Sequence, residues 1–229
     1  MKYKHILFDL DRTLWDFEYN MRLTLTDIFH RHNLGDYAPS PEHFIETFNI
    51  HNDRLWNSYQ NGDLKKEVLR YKRFEKTLSD YGISNKDLAM VIGQEYIEES
   101  PKKTALIPYS IEVLDYLINR YQLHIITNGF NEVQFTKLEL CGISHYFTKV
   151  ITSEISGYHK PRPEAFGYTL ASANARKEES IMIGDNLEID IMGAKAFGID
   201  QIYFNPTQAK HTQEVTHEIT SLLELLKIL

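Results

Sequence analysis

The chain has 229 residues, of which 42% are hydrophobic and 25% are charged. These values are typical of a globular protein, and they exclude a disordered or fibrous chain. The 25 basic and 32 acidic residues give a net charge of −7, which disfavours a nucleic acid polymer or an anionic membrane as partner. There is one cysteine, no apolar run of the roughly 20 residues that span a bilayer, and no secretory pattern at the N-terminus. We therefore expect a cytoplasmic monomer or homodimer without a membrane partner.

Five short apolar runs predict buried strands of a parallel sheet. They are Ile6–Phe8, Leu123–Ile126, Val150–Ile151, Ile181–Ile183 and Ile202–Phe204. Helical periodicity follows in three later segments, namely Ile111–Ile118, Ala165–Ala173 and Ile219–Leu229. This alternation predicts an α/β fold with a Rossmann-like, doubly wound parallel sheet. Ligands of such sheets bind beyond the carboxyl ends of the strands, so residues that follow the strands are the candidates for a site.

The stretch from residue 16 to residue 100 contains no convincing strand and is expected to form a separate helical cap. Four helices are predicted there, at Met21–His32, Pro41–Tyr59, Leu64–Tyr81 and Asn85–Glu99. Ser40 before Pro41 predicts an N-cap, and Ser84 with Asp87 resembles a capping box. Asn61-Gly62 and Gly82 are helix-stop signals. We predict an α/β core of residues 1–15 and 101–229 with an inserted four-helix cap of residues 16–100.

Asp9 and Asp11 follow the first predicted strand and can point from one loop into one site. A carboxylate nucleophile divides phosphate-ester hydrolysis into two displacements through an acyl phosphate. A second carboxyl group can protonate the leaving alkoxide and then deprotonate water. The same spacing also fits a pair of aspartates that only cap a loop.

Thr127, Asn128 and Gly129 follow the second strand and offer a hydroxyl group and backbone N–H groups to phosphate oxygens. Lys160, in a loop before Pro161, can neutralise the charge of a nucleophile and a phosphoryl group. Taken singly, the first motif is a common turn, and an isolated lysine is usually solvated. Their convergence with Asp9 is what favours a phosphate site.

Asp185 follows the fourth strand, within Gly184–Asp190. Magnesium prefers oxygen ligands and keeps several waters, so a site made of Asp9, the backbone carbonyl of Asp11 and Asp185 suits Mg²⁺. Glu188 and Asp190 are expected to lie near the metal without binding it directly. The histidine spacings match no zinc site.

These four motifs, in this order, resemble those of the haloacid dehalogenase superfamily, and the insertion resembles its helical cap. The resemblance covers the chain from Lys4 to about Trp15 and from Ala105 onward. It implies that Asp9 is the nucleophile and Asp11 the general acid and base. It further implies that Thr127 and Lys160 bind phosphate and that Asp185 binds Mg²⁺.

Asp11 favours a phosphatase, because the dehalogenases and transport ATPases of the superfamily lack an aspartate at this position. Arg12 departs from the more usual glycine. The chain also resembles the branch that dephosphorylates pyrimidine nucleoside monophosphates. The cues are Thr127–Phe130, Leu55–Gly62 and Arg73-Phe74-Glu75.

A base could stack on Trp56 or Tyr59, or on Trp15 or Phe17, while Asn128, also a candidate phosphate-binding residue, could orient the leaving group or the sugar. The same aromatic residues also suit the core of the cap. The expected partner is a small phosphate ester, with a pyrimidine nucleotide preferred. The alternatives are a phosphatase or phosphomutase for phosphoglycolate or a sugar phosphate, a noncatalytic phosphate-binding protein, and a haloacid dehalogenase.

Overall fold

The computed structural model describes residues 2–229, and its centre is a six-stranded parallel sheet with the strand order β3-β2-β1-β4-β5-β6. The strands are β1 (His5–Phe8), β2 (Gln122–Thr127), β3 (Phe147–Thr152), β4 (Ser180–Gly184), β5 (Asp200–Phe204) and β6 (His217–Ile219). This arrangement confirms the predicted α/β class with a doubly wound parallel sheet. Phe8 is in register with Ile125 of β2 and with Ile183 of β4. The carboxyl ends of the three central strands therefore lie side by side.

Residues 2–229 contain ten α-helices. They are α1 (Phe17–Arg31), α2 (Pro41–Gln60), α3 (Lys66–Asp80), α4 (Lys86–Glu99), α5 (Ser110–Ile118), α6 (Asn131–Leu140), α7 (Ser153–Ser156), α8 (Pro163–Ala173), α9 (Gly193–Phe197) and α10 (Leu225–Ile228). A π-helical turn, Leu187–Met192, leads into α9. Ser40 caps α2 by accepting a hydrogen bond from the backbone N–H of His43 at 3.2 Å, as predicted.

Some helix ends differ by a few residues from the predicted bounds, most at the start of α1, which is Phe17 and not Met21. Two further predicted features also differ from the structure. The cap of α4 is Asn85, whose side-chain oxygen accepts from the N–H of Leu88 at 3.0 Å, rather than Ser84 with Asp87. Asparagine is as strong an N-cap as serine, so the helix starts one residue later. Helical periodicity also predicted one helix over Ile219–Leu229, but Ile219 ends β6 and pairs with β5.

The reason for the second difference is a helix start inside that segment. Ser221 accepts a hydrogen bond from the N–H of Leu223, and the side chain of Glu224 accepts from the N–H of Ser221, which is a capping box. An N-cap residue has a non-helical backbone, so the helix cannot extend back to Ile219.

The two faces of the sheet bury separate apolar clusters. Along β1, Ile6 and Phe8 pack on one side with Val113 and Leu117 of α5, whereas Leu7 packs on the other side with residues of α8 and α9. Alternate side chains of a strand point to opposite faces, which is why one strand serves both clusters. β1 is therefore buried on both sides, and this fixes the position of the residues that follow it.

The chain folds into two compact units. The core unit contains the chain up to Phe17 together with Thr104–Leu229, and the helical unit is Glu18–Lys103. The helical unit has a buried aromatic centre in which the rings of Phe48, Phe74 and Tyr96 lie 4.9–5.7 Å apart, centroid to centroid. The boundaries expected from the sequence, at residues 15/16 and 100/101, stay a prediction. Between residues 2 and 229, no helix is long and apolar enough to cross a membrane.

Candidate active site

The loop that follows β1 is held by backbone hydrogen bonds, one to β4 and one within the loop. The N–H of Asp9 donates to the carbonyl of Ile183 in β4 at 2.9 Å, and the N–H of Trp15 donates to the carbonyl of Leu10 at 2.9 Å. Arg12 has a φ of 65°, in the left-handed region that glycine adopts without steric cost. This conformation gives the physical reason why glycine is the more usual residue at this position.

Lys160 joins two of the acidic residues at the carboxyl edge of the sheet. Its Nζ donates to Asp9 Oδ1 and to Asp190 Oδ1, each at 2.6 Å. The Lys160 side chain is only 2% exposed, so both ion pairs are shielded from water. Charge-assisted hydrogen bonds in such surroundings fix the orientation of both carboxylates.

The backbone of Lys160 is held by Asn128. The Asn128 side-chain amide donates to the carbonyl of Lys160 at 2.9 Å, and its oxygen accepts from the N–H of Lys160 at 2.8 Å. The sequence predicted that Asn128 would contact phosphate, whereas here both polar atoms of its side chain serve the Lys160 loop. Asn128 thereby ties the end of β2 to the lysine that pairs with Asp9.

An acidic cluster is formed by Asp9, Asp185 and Asp190, with one carboxylate oxygen of each within 4.8 Å of the others. Asp185 Oδ1 accepts from the hydroxyl of Thr13 at 3.2 Å. Asp190 Oδ2 accepts from the N–H of Asn186 at 3.1 Å. The cluster therefore holds three carboxyl groups, and the buried ammonium group of Lys160 contacts only two of them, so the acidic groups outnumber the cation that pairs with them.

The protonation equilibria of the cluster reflect that excess. Burial raises the pKa of Asp9 well above its ordinary value, Lys160 opposes the rise, and the neighbouring carboxylates add to it. Burial and then Asp190 raise the pKa of Asp185 to about 7. Burial lowers the pKa of Lys160, but Asp190 and Asp9 outweigh burial, so the net shift is upward and the ammonium stays charged.

The donor set of the cluster fits a hard divalent cation. Its atoms are carboxylate oxygens, which Mg²⁺ prefers, and no sulfur or imidazole group belongs to the cluster within residues 2–229. A bound cation would balance the uncompensated negative charge. The side chain of Asp11, in contrast, does not belong to the cluster.

Asp11 is held from helix α6. Gln134 Nε2 donates to Asp11 Oδ2 at 2.9 Å, and Lys137 Nζ donates to Asp11 Oδ1 at 2.5 Å. Gln134 is fully buried and Lys137 is 3% exposed. Sequence reasoning missed both residues, since neither belongs to a motif that directly follows a strand. Their spacing of three residues, directly after the Thr127 motif, was the available signal.

Thr127 ends β2 and is 3% exposed. Its Oγ1 accepts hydrogen bonds from Gln134 Nε2 at 2.6 Å and from the N–H of Gly129 at 3.1 Å. Thr127 is therefore linked to Asp11 through one buried amide group.

Trp56 and Tyr59, the candidate stacking residues, lie on α2 of the helical unit. Both are half-buried, and their rings meet edge to face with centroids 5.5 Å apart. The predicted core residues Asp9, Asp11, Thr127, Lys160 and Asp185 all lie in the core unit, at the carboxyl ends of β1, β2 and β4 or in the adjoining loops.

Two pyrimidine 5′-nucleotidases are similar to this chain over its full length. The chain is 32% identical over 235 residues to the pyrimidine 5′-nucleotidase PynA of Streptococcus pneumoniae, covering 100% of this chain and 96% of that protein. It is 28% identical to the pyrimidine 5′-nucleotidase YjjG of Escherichia coli, with coverage of 100% and 99%.

A solved structure resembles the whole chain. The crystal structure of the HAD-hydrolase YfnB of Bacillus subtilis, bound to magnesium, superposes with a TM-score of 0.89 at 28% identity and covers 100% of this chain and 99% of that one. The family model for haloacid dehalogenase-like hydrolases matches residues 6–204, which include every motif of the site described above. This chain belongs to the haloacid dehalogenase-like hydrolases.

Proposed function

We propose that the protein is a Mg²⁺-dependent phosphomonoester hydrolase that acts through an aspartyl-phosphate on Asp9, with pyrimidine nucleoside 5′-monophosphates as substrates. The observation that carries this proposal is the Asp9 carboxylate at the end of β1, paired with the buried Lys160 at 2.6 Å and adjoining Asp185. A fixed carboxylate beside a buried cation suits attack on an anionic phosphate, because the lysine offsets the repulsion between the two anions.

In the first step, a carboxylate oxygen of Asp9 forms a bond to phosphorus while the bond from phosphorus to the ester oxygen breaks. Asp11 gives its proton to the departing oxygen, so an alcohol leaves. In the second step, water attacks phosphorus, its proton passes to Asp11, and the bond between phosphorus and Asp9 breaks. The sum is ester plus water to alcohol plus inorganic phosphate, and both aspartates return to their initial states.

Three further side chains support this chemistry. Lys160 offsets charge on Asp9 and on the transferred phosphoryl group, and Thr127 is the proposed hydroxyl donor to a phosphate oxygen. Asn128 holds the Lys160 loop through its two hydrogen bonds and thereby positions the ammonium. We assign Asn128 to this positioning role in addition to the predicted contact with phosphate.

The proposed Mg²⁺ ligands are Asp9, Asp185 and the backbone carbonyl of Asp11. Bound Mg²⁺ supplies charge neutralisation for the phosphoryl oxygens. Asp190 lies in the same cluster, but its two oxygens already accept from Lys160 and from the N–H of Asn186. We therefore propose Asp190 as the residue that orients Lys160 and not as a direct ligand.

Preference for pyrimidine nucleotides is supported by the full-length similarity to PynA and YjjG. Trp56 and Tyr59 of α2 are the proposed stacking surface for the base, because aromatic faces bind bases through stacking worth about 1–3 kcal/mol each.

Single replacements, Trp56→Leu and Tyr59→Leu, test the stacking role. Each should lower kcat/KM for uridine monophosphate by about tenfold or more, since about 1.4 kcal/mol corresponds to tenfold. Turnover of a non-nucleotide ester should stay within about twofold. Tyr37→Leu is the matched control, because Tyr37 is an exposed aromatic residue of the same unit. Equal loss on both kinds of ester contradicts stacking.

The function is tested by phosphate release, with Mg²⁺ and with chelator, from uridine, thymidine and deoxyuridine monophosphates. Purine nucleotides, phosphoglycolate and glucose phosphates complete the panel. We expect Mg²⁺-dependent turnover with the pyrimidine monophosphates preferred. Preference for another ester rejects the substrate assignment and keeps the mechanism. Absence of turnover on every ester in the panel rejects the phosphatase assignment.

A further inference from the structure

Lys137 is a buried cation that the reaction scheme above does not use. Its ammonium group lies 3.8 Å from the centroid of the Trp15 ring and donates to Asp11 Oδ1 at 2.5 Å. The Lys137 side chain is 4% exposed, and Trp15 is fully buried. A lysine held between an indole face and a carboxylate loses most of its freedom, so it restricts the carboxylate in turn.

Gln134 lies one turn before Lys137 and binds the other oxygen of Asp11. Its Nε2 donates both to Asp11 Oδ2 at 2.9 Å and to Thr127 Oγ1 at 2.6 Å. The Gln134 Oε1 atom is buried and has no hydrogen-bond partner among residues 2–229. Leaving a buried carbonyl oxygen without a donor is costly, so the orientation of this amide is set by the two bonds from its nitrogen.

Gly129 makes room for this arrangement. A Cβ atom at position 129 would lie 2.4 Å from Gln134 Nε2 and 2.5 Å from its Cδ. Any side chain at that position would force the Gln134 amide to shift, so the glycine after Thr127 and Asn128 leaves the room that this amide occupies.

The hydrogen bonds at Thr127 determine which part of its hydroxyl group remains for a ligand. The oxygen already accepts from Gln134 Nε2 and from the N–H of Gly129. A hydroxyl group has two acceptor lone pairs and one hydrogen, so two accepted bonds leave the hydrogen to be donated. A phosphate oxygen accepts hydrogen bonds only, and it is the partner that such a hydroxyl suits.

We propose that Gln134 and Lys137 of helix α6 are positioning residues that hold the Asp11 carboxyl group in place. Gln134 also occupies an acceptor site of the Thr127 hydroxyl, so that this hydroxyl donates its hydrogen to the phosphate. The assignment rests on the proposed phosphatase function. Lys137 acts on the proton-transfer residue alone, whereas Gln134 acts on that residue and on the phosphate-binding residue. The two side chains therefore have separable effects.

Lys137→Met is tested with two esters, uridine monophosphate and p-nitrophenyl phosphate. Departure of a nucleoside alkoxide needs the proton of Asp11, but p-nitrophenolate leaves without one. We expect kcat/KM for the nucleotide to fall by about tenfold or more and kcat/KM for p-nitrophenyl phosphate to fall by less than about threefold. Lys149→Met is the control, since Lys149 is exposed on β3, and it should match the wild type on both esters.

Gln134→Met is tested by inhibition with inorganic phosphate. Loss of the hydrogen bond from Gln134 Nε2 to Thr127 Oγ1 should raise the inhibition constant for phosphate by about three- to tenfold, the equivalent of one ordinary hydrogen bond. Lys137→Met should leave that constant unchanged. This measurement is independent of the leaving group, and thermal unfolding of each variant establishes that it is folded.

A merely structural role for Lys137 predicts equal loss on both esters, and this result overturns its assignment. An unchanged inhibition constant in Gln134→Met overturns the assignment of Gln134. If the wild type prefers another alkyl ester, that ester replaces the nucleotide and the same criteria apply. If the wild type hydrolyses no ester at all, the proposed function is refuted, and the positioning assignment falls with it.

Discussion

Replacement of Lys160 by methionine should strongly destabilise the protein, although methionine resembles the lysine stem in size. The variant removes an ammonium group that is 2% exposed and binds two carboxylates, each at 2.6 Å. Breaking a buried ion pair by removing one partner costs about 3–5 kcal/mol. We take about 4 kcal/mol, and at this chain length each 1 kcal/mol shifts the melting temperature by about 2–4 °C. The expected loss is therefore about 8–16 °C.

This loss should depend on pH in a defined direction. Without Lys160, the pKa of the buried Asp9 rises further above its ordinary value, because burial and the neighbouring carboxylates remain and the opposing cation is gone. The folded state then binds more protons than the unfolded state, so stability falls as pH rises from about 4 through the raised pKa. The difference from the wild type should be small near pH 5 and large near about pH 8.

The assay is thermal unfolding followed by circular dichroism across this pH range, in chelator. Lys149→Met, an exposed lysine on β3, is the matched control and should melt with the wild type. A Lys160→Met variant that melts within about 2 °C of the wild type near pH 8, or that loses the same amount at every pH, refutes the electrostatic account of the cluster.

Three further predictions concern other parts of the core unit. Mg²⁺ at about 100 times its dissociation constant should stabilise the folded wild type by about 2.7 kcal/mol, which raises its melting temperature by about 5–11 °C. It should not raise the melting temperature of Asp185→Asn, and an equal rise in both proteins argues against Asp185 as a ligand. His124 is buried against His5, and burial lowers its pKa to about 4, so up to about 3 kcal/mol of stability should be lost as pH falls from about 6.5 to 4. The free energy of unfolding, measured in urea, should fall less over this pH range in His124→Leu than in the wild type. Identical pH profiles of the two proteins would contradict the assignment. Gly129→Ala should displace Gln134, costing about 1–3 kcal/mol and lowering kcat/KM by about tenfold; a variant with wild-type turnover contradicts this packing argument.

The fold was predictable where local pattern and tertiary structure agree. The five apolar runs became β1 to β5, because the strands of a parallel sheet carry apolar residues where both faces are covered. In β3 this holds only for the end of the strand, since Thr148 and Lys149 are exposed. The sixth strand, His217–Ile219, has only three residues, and two of them are exposed. No apolar run marks such an edge strand, and the leucines that follow it suggested a helix instead.

The candidate site was predictable where each residue stands directly after a strand. Asp9, Thr127 and Asp185 follow β1, β2 and β4, and parallel strands bring their carboxyl ends to one edge. Gln134 and Lys137 could not be found in this way. They contact Asp11 although they follow it by 123 and 126 residues in the sequence. The packing of α6 determines such contacts, and no local sequence pattern indicates them.

Arg12 shows another limit of sequence reasoning. The sequence has arginine at a position where the family more usually has glycine, but the effect of this difference depends on the backbone conformation there. Arg12 takes the left-handed conformation that this position requires, with φ at 65°, and its guanidinium carbon lies 4.2 Å from the centroid of the Phe17 ring. Left-handed geometry costs a non-glycine residue about 1–2 kcal/mol, and stacking on an aromatic ring offsets part of that cost.

The central claim is that Asp9 carries the phosphoryl group during turnover. The most direct measurement is to quench the enzyme during hydrolysis of its best ester, reduce with borohydride, and sequence the N-terminal peptide by mass spectrometry. Reduction of an aspartyl-phosphate gives homoserine, so we predict homoserine in place of Asp9 in the wild type with substrate. It should be absent without substrate and in Asp9→Asn, which should not turn over. Turnover without any reduced Asp9, or wild-type turnover by Asp9→Asn, would contradict the mechanism.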